Sequence, residues 1–379
     1  MNGQWIGGYT GSNSGIAIIN IDDVGEHYEG VAYLHDDNPG LPAIAAAFET
    51  SDKSKNFKFR TNKIWPINPI TGMPDLWDNV KKYYEGIDLI WGYVDVEGEW
   101  NKETLTLQWT SEFGNKGSCM LSKSKADLPS EYKAVSEIND WNSYKQYIND
   151  KYMPAIENRR FIFRGQSNPW RLRTRFHRTG RANLFRFRDM DIPTLHKYLS
   201  GRISHFYNLS NPDENGAFYN LVQHHGYPTP LLDWTYSPYV AAFFAYREIS
   251  NSEAAKASDN DKVRIFVFDQ RVWRNDYIQV PLIVAPNLHL SVLEFLAIDN
   301  ERLIPQQSVS TVTNIDDIED YIKHKEGEKK KQYLTVIDLP LKERTKVVRE
   351  LSYMGITAGS LFPGLDGACE ELRERFFDI

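Results

Sequence analysis

The polar, proline-punctuated stretch Ser122-Lys123-Ser124-Lys125-Ala126-Asp127-Leu128-Pro129-Ser130 separates two kinds of residue patterning, and it constrains the fold more than any other feature. Upstream the pattern is that of short strands. Trp5, Gly7 and Tyr9 alternate, Gly11 to Gly15 is a turn cluster, and strands follow over Ile16–Ile21 and Tyr28–Leu34 with a turn at Asp22 to Gly25. Leu89–Val94 and Thr104–Trp109 read as two further strands around a turn at Glu97-Gly98, and one amphipathic helix is expected at about Leu76–Tyr84. Short alternating strands with frequent glycine predict a small barrel or curled sheet over residues 1–121. Trp5, Trp91 and Trp109 line its mouth for a flat ligand, or are simply its core, the commoner use of tryptophan.

Downstream the period changes. Trp141, Tyr144, Tyr147 and Ile148 fall at helical spacing, the helix should end near Pro154, and a strand should begin near Arg160. The organisation expected is therefore 1–121 as a β-rich unit, 122–135 as a linker, and 136–379 as an α+β unit that folds without the first. Glu326 to Lys331 reads as a solvated loop. The chain has two cysteines, Cys119 and Cys369, without metal-ligand spacing, which argues against disulfides and zinc and for a reducing compartment. Neither a signal peptide nor a membrane span is legible, so the cytosol is the expected location, with no membrane partner.

The net charge of −7 excludes general affinity for nucleic acid, so any such site must be a local patch. One candidate exists. Ten arginines and no lysine fall between Arg159 and Arg188, with Phe161, Phe163, Trp170, Phe176, Phe185 and Phe187 among them. Arginine forks suit phosphate, and aromatic rings suit bases. Arg171, Arg173, Arg175 and Arg178 are the candidate nucleic-acid contacts; the alternative is that such arginines pair with the chain's own carboxylates.

Two constellations carry further chemistry. Phe161-Ile162-Phe163-Arg164-Gly165-Gln166 reads as a strand buried on both faces that ends in Arg164, with Gly165 permitting close approach of a backbone or ligand. Gln223-His224-His225-Gly226 leads through Pro228 to Leu231-Leu232-Asp233-Trp234-Thr235, then Ser237-Pro238 and an apolar helix, Val240–Ala245. Ser237 before Pro238 has the form of an N-cap, which puts Thr235 and Ser237 on a strand-to-helix corner. Their hydroxyls face a ligand or serve as turn and cap. A histidine near Asp233 is a candidate base, or a buried ring tied to backbone. His177, His196, His205 and His289 read as structural or exposed. Asp233 is expected to accept backbone N–H bonds and Trp234 to fill the core.

These blocks resemble the FRG domain, the family named for Phe-Arg-Gly. The resemblance rests on Phe163 to Gln166, Gln223 to Pro238, Asn300-Glu301-Arg302 with Gln306-Gln307, and Gly355-Ile356 through Leu361-Phe362-Pro363-Gly364-Leu365-Asp366-Gly367. The family's layout is similar to that of ADP-ribosyltransferases, which implies an α+β fold and NAD as substrate. Carried over by position, Arg164 with Gly165 and Gln166 would hold NAD, and His224, Thr235 and Ser237 would line its pocket. The third block departs from that layout, offering Gln306-Gln307 where a glutamate is needed. Gln307 would then orient a ribose hydroxyl, and the base role would move to His224 or His225, with His225 taken as catalytic. Two functions stand: an NAD-dependent transferase acting on a macromolecule, with RNA favoured, in a toxin or anti-phage setting restrained by a partner protein; and a binding module for RNA or a nucleotide without turnover.

Overall fold

A computed structural model describes residues 1–87, 90–154 and 159–377. The first unit is a nine-stranded antiparallel sheet: β1 (Gly3–Gly11), β2 (Gly15–Asp23), β3 (Tyr28–Asp36), β4 (Ile44–Thr50), β5 (Asn56–Thr61), β6 (Lys63–Pro66), β7 (Val94–Trp100), β8 (Thr104–Ser111) and β9 (Lys116–Lys123). Its order, β5-β7-β8-β9-β1-β2-β3-β4-β6, brings the two ends together in a nearly closed barrel, where the Thr61 hydroxyl donates to the Ala47 carbonyl across the seam. Trp5, Ala17, Ile19, Leu105 and Leu121 alternate inward to form its core.

Four local expectations change. Gly98 lies inside β7, where a Cβ would come within 2.4 Å of the Phe57 ring, so this glycine makes room for an aromatic and the turn comes later. Ile90 to Tyr93 precede β7 as irregular chain, and Leu89, the expected first residue of that strand, lies outside the described residues. The helix expected at 76–84 is one α-turn, Trp77–Val80, and a 3₁₀ turn, Lys81–Tyr83. The solvated loop at 326–331 is instead the end of a helix, Ile318–Lys329, where the Glu326 carboxylate accepts from the Tyr333 and Leu334 amides.

The second unit is built on a six-stranded antiparallel sheet: β10 (Phe161–Gln166), β11 (Leu231–Thr235), β12 (Lys262–Asp269), β13 (Leu290–Leu293), β14 (Ser308–Thr313) and β15 (Leu334–Pro340), ordered β13-β14-β11-β10-β12-β15. Four helices matter for the site: α1 (Trp141–Lys151), α2 (Pro212–His224), α3 (Pro238–Tyr246) and α4 (Leu365–Phe377). The apolar α3, capped at its start by the Ser237 hydroxyl, lies in one core layer with α1. Trp234 and Phe268 occupy the layer on the other side of the sheet.

The segment joining the units is packed down rather than free. Ser130 donates to Glu319, Tyr132 to Glu326, and Arg171 reaches the Pro129 carbonyl and Glu131. The barrel itself is fastened to the second unit. Asp22, 1% exposed, accepts hydrogen bonds from the amides of Ala182 and Asn183 and pairs with Arg181. Gln4 bonds the Asn314 carbonyl and the Asp316 amide, and Tyr33 packs on Phe185.

Candidate functional site

The central strands β10 and β11 share one register pair, Phe163 opposite Thr235, and part beyond it. A cleft of about 640 Å³ opens in this gap, lined by Arg164 to Ser167 on one side and Leu231 to Thr235 on the other. Gly165 serves the packing of α3: a Cβ there would lie 1.9 Å from the Ala241 carbonyl oxygen. Arg164 spans the gap, its Nη1 donating to the Asp233 carbonyl at 2.6 Å while its buried Nε has no partner. Burial, opposed by Asp233 and aided by Arg178 and Arg175, lowers the Arg164 pKa to about 10.

The arginines divide by what they meet. Arg171 is 4% exposed and pairs with Asp317 and Glu131, and Arg173 pairs with Asp316 and Asp127. Two of the four expected nucleic-acid contacts are thus neutralised by the chain's own acids, because burial of a guanidinium favours a nearby counter-charge. Arg181 and Arg186 likewise tie down to Asp22 and Glu29 of the barrel. Arg175 and Arg178 are exposed at the cleft, bonded only to the Gly226 carbonyl and the Gln166 side chain. Desolvation, then Arg173 and Arg175, lower the Arg178 pKa. Arg302 enters from the opposite wall and donates to the His224 carbonyl. Among the described residues, Arg164, Arg175, Arg178 and Arg302 line one cleft without a carboxylate ion pair.

Carboxylates are present but few. Asp233 accepts from the Gln223 amide at 2.6 Å, not from backbone N–H groups as expected. Glu248 and Asp366 are exposed at the rim, and Glu370 of α4 forms a two-point pair with Arg247.

Residues 159–254 match the family model described as FRG domain. The chain carries an FRG domain. The matched residues span β10, the arginine-rich segment, α2, β11 and α3, so both strands that border the cleft belong to the FRG match. Arg302, Gln306 and Asp366 complete the cleft from beyond it. No curated protein matches the chain. A solved structure of a redesigned beta barrel aligns with 33% of this chain and 91% of that chain, at 12% identity and a TM-score of 0.22.

Within and around the FRG match, Arg164, Gly165, Gln166, His224, His225 and Thr235 all line the cleft, and two residues expected at the NAD site do not. Ser237 caps α3, its hydroxyl accepting from the Val240 amide, and lies outside the cleft wall. Gln307 adopts a left-handed backbone (φ 47°) and lines a separate cavity with Tyr236 and Arg159. Gln306 is the member of the pair at the cleft. Its amide donates to the Leu361 carbonyl, and its backbone carbonyl accepts from Thr235 Oγ1 at 2.7 Å. His225, at the end of α2, is exposed, and its pKa is lowered by desolvation, then by Arg302 and His224. His224 Nδ1 lies 2.7 Å from the Asn300 side-chain amide. Trp170, one of the aromatic rings expected among the arginines, is 53% exposed at the rim, and Gln223, Arg302 and Asp366, given no individual role from sequence, also reach the site. Arg302 and Asp366 stood in recognisable blocks, but only the fold returns them to Arg164. No helix among the described residues is long and apolar enough to cross a membrane, and none of their His, Cys, Asp and Glu groups could hold a metal ion.

Proposed function

We propose that the cleft binds NAD and transfers its ADP-ribose to a macromolecular acceptor. The observation that carries this reading is the set of four arginines, Arg164, Arg175, Arg178 and Arg302, facing one cleft with no carboxylate partner among the described residues. Guanidinium groups without an ion-pair partner, among which Arg178 and Arg175 lower the Arg164 pKa, are relieved by an anion, and the pyrophosphate of a dinucleotide supplies one. Asp233 takes the role that a glutamine cannot. Held by Gln223 beside Arg164, its carboxylate would stabilise the oxocarbenium-like ribose as the glycosidic bond breaks. The bond electrons leave with nicotinamide, the acceptor nucleophile attacks C1′, and its proton passes to a base, for which His225 at the cleft mouth is the candidate.

RNA is the acceptor we favour, because exposed Trp170 stands at the rim of a cleft lined by Arg175 and Arg178, a pairing suited to base stacking and phosphate contact. Such an activity suits a cytosolic toxin or anti-phage effector restrained by a partner protein. A second reading, binding without turnover, is favoured by Gln306, whose amide and carbonyl are both committed to the scaffold.

The test is nicotinamide release from NAD, with and without total RNA, by the wild type, Arg164→Ala and Asp233→Asn, beside direct titration with NAD. Arg164→Ala should weaken NAD binding by about 10- to 100-fold, the value of a charge-assisted hydrogen bond of about 1.5–3 kcal/mol. Asp233→Asn should retain binding and lose release. Binding without release in the wild type would select the second reading, and no NAD binding would remove the first.

A further inference from the structure

The barrel is filled on one side and bare on the other. Trp5, Ala17, Ile19, Ile21, Leu105 and Leu121 point inward at 3% exposure or less. On β3, β4 and β5, Ala32, Leu34, Ile44, Ala46 and Phe59 point into the same interior yet are only half-buried. They border a cavity of about 70 Å³ whose lining is almost wholly hydrocarbon. Its one hydroxyl, Thr61, is taken by the Ala47 carbonyl, and burial holds the Cys119 thiol protonated, its pKa pushed up to about 12. Water inside would find no partners, and a space of this kind stays dry or takes an apolar guest.

This interior runs to the mouth. A second cavity of about 220 Å³ shares Leu34, Ile44, Trp91 and Trp109 with it. The outer rim of that cavity is polar, with Ser12, Asn13, Asn115 and Lys116. The nearby Asp36 carboxylate is occupied, one oxygen by the Tyr9 hydroxyl at 2.9 Å and the other by the Asn38 amide at 2.8 Å. Lys116, exposed at this rim, forms no ion pair among the described residues.

We propose that the barrel is a binding site for a small amphiphile of the medium-chain carboxylate class. The tail lies between the bare wall of Ala32 and Ala46 and the Trp109 ring, and the carboxylate stays at the mouth by Lys116. The inner wall selects against polar tails because nothing there can hydrogen-bond them, and the small space selects against long ones.

The test uses octanoate as probe and acetate as its tailless control, on the full chain, read by tryptophan emission and thermal melting. Octanoate should shift the emission saturably and raise Tm, and acetate at the same concentration should do neither. The double substitution Ala32→Leu with Ala46→Leu fills the space; it should leave Tm within a few degrees of wild type and weaken octanoate at least tenfold. Lys116→Ala should weaken it severalfold. No saturable response to octanoate, or an equal response to acetate, would overturn the proposal. So would a filled variant that unfolds, since the wall would then already be closely packed. An octanoate response abolished by Arg164→Ala would place the carboxylate in the arginine cleft instead.

Discussion

Individual side chains acquire their roles here from what surrounds them. Arg171 and Arg175 are four positions apart in one arginine-rich run, yet the first is sealed against Asp317 and the second faces an open cleft. The histidines separate in the same way. His177 and His289 are enclosed, and burial lowers the pKa of each to about 4, whereas an unfolded chain protonates histidine near 6.5. Between those values the unfolded state binds more protons, so stability falls as pH drops from about 6.5 toward 4, by about 1.4 kcal/mol per unit for each ring. Burial raises the pKa of Asp317 and Glu319, which acts in the opposite direction. The comparison that isolates the rings is therefore urea unfolding of wild type against His177→Gln across this range. The variant should lose less stability on acidification, and parallel curves would show that His177 protonates within the fold.

At the level of elements, the Phe-Arg-Gly strand was readable as a strand and the Ser237-Pro238 pair as a helix start, because local rules act there: alternation, an N-cap hydroxyl, proline at the first turn. The use made of Gly165 was not readable. It could have served a ligand, and it serves α3, whose backbone lies against it. Gly165→Ala should accordingly cost on the order of 2–3 kcal/mol through overpacking, seen as a lowered Tm. Ser237→Ala should cost about 1 kcal/mol by loss of the cap and leave NAD affinity within about twofold. A large loss of affinity in Ser237→Ala would return that hydroxyl to the site. Gly98 taught the converse, since a turn residue by composition sits in mid-strand where Phe57 needs the space.

Across the whole molecule, the patterning break near Ser122 marks two architectures that buried hydrogen bonds join. Asp22 and Gln4, both in the barrel, satisfy amides and a guanidinium of the second unit at buried positions. Each such group left without its partner costs about 1–3 kcal/mol. A fragment starting at Ser130, expected from sequence to fold alone, should therefore be insoluble or melt well below the full chain. A fragment that melts with the full chain would show that these ties contribute little.

The amino-acid sequence by itself determined the β-then-mixed organisation, the principal strands and caps, and the FRG motif blocks, because these follow from periodicity and from hydrogen bonds between near neighbours. It also brought Arg164, Thr235 and the two histidines forward as one site. Tertiary structure alone decided which arginines are neutralised, that Gln306 rather than Gln307 meets the cleft, and that the barrel keeps a bare apolar wall. Those outcomes depend on charges and volumes contributed by residues far outside the local window, such as Asp317 on Arg171, 146 positions away, which no local pattern encodes.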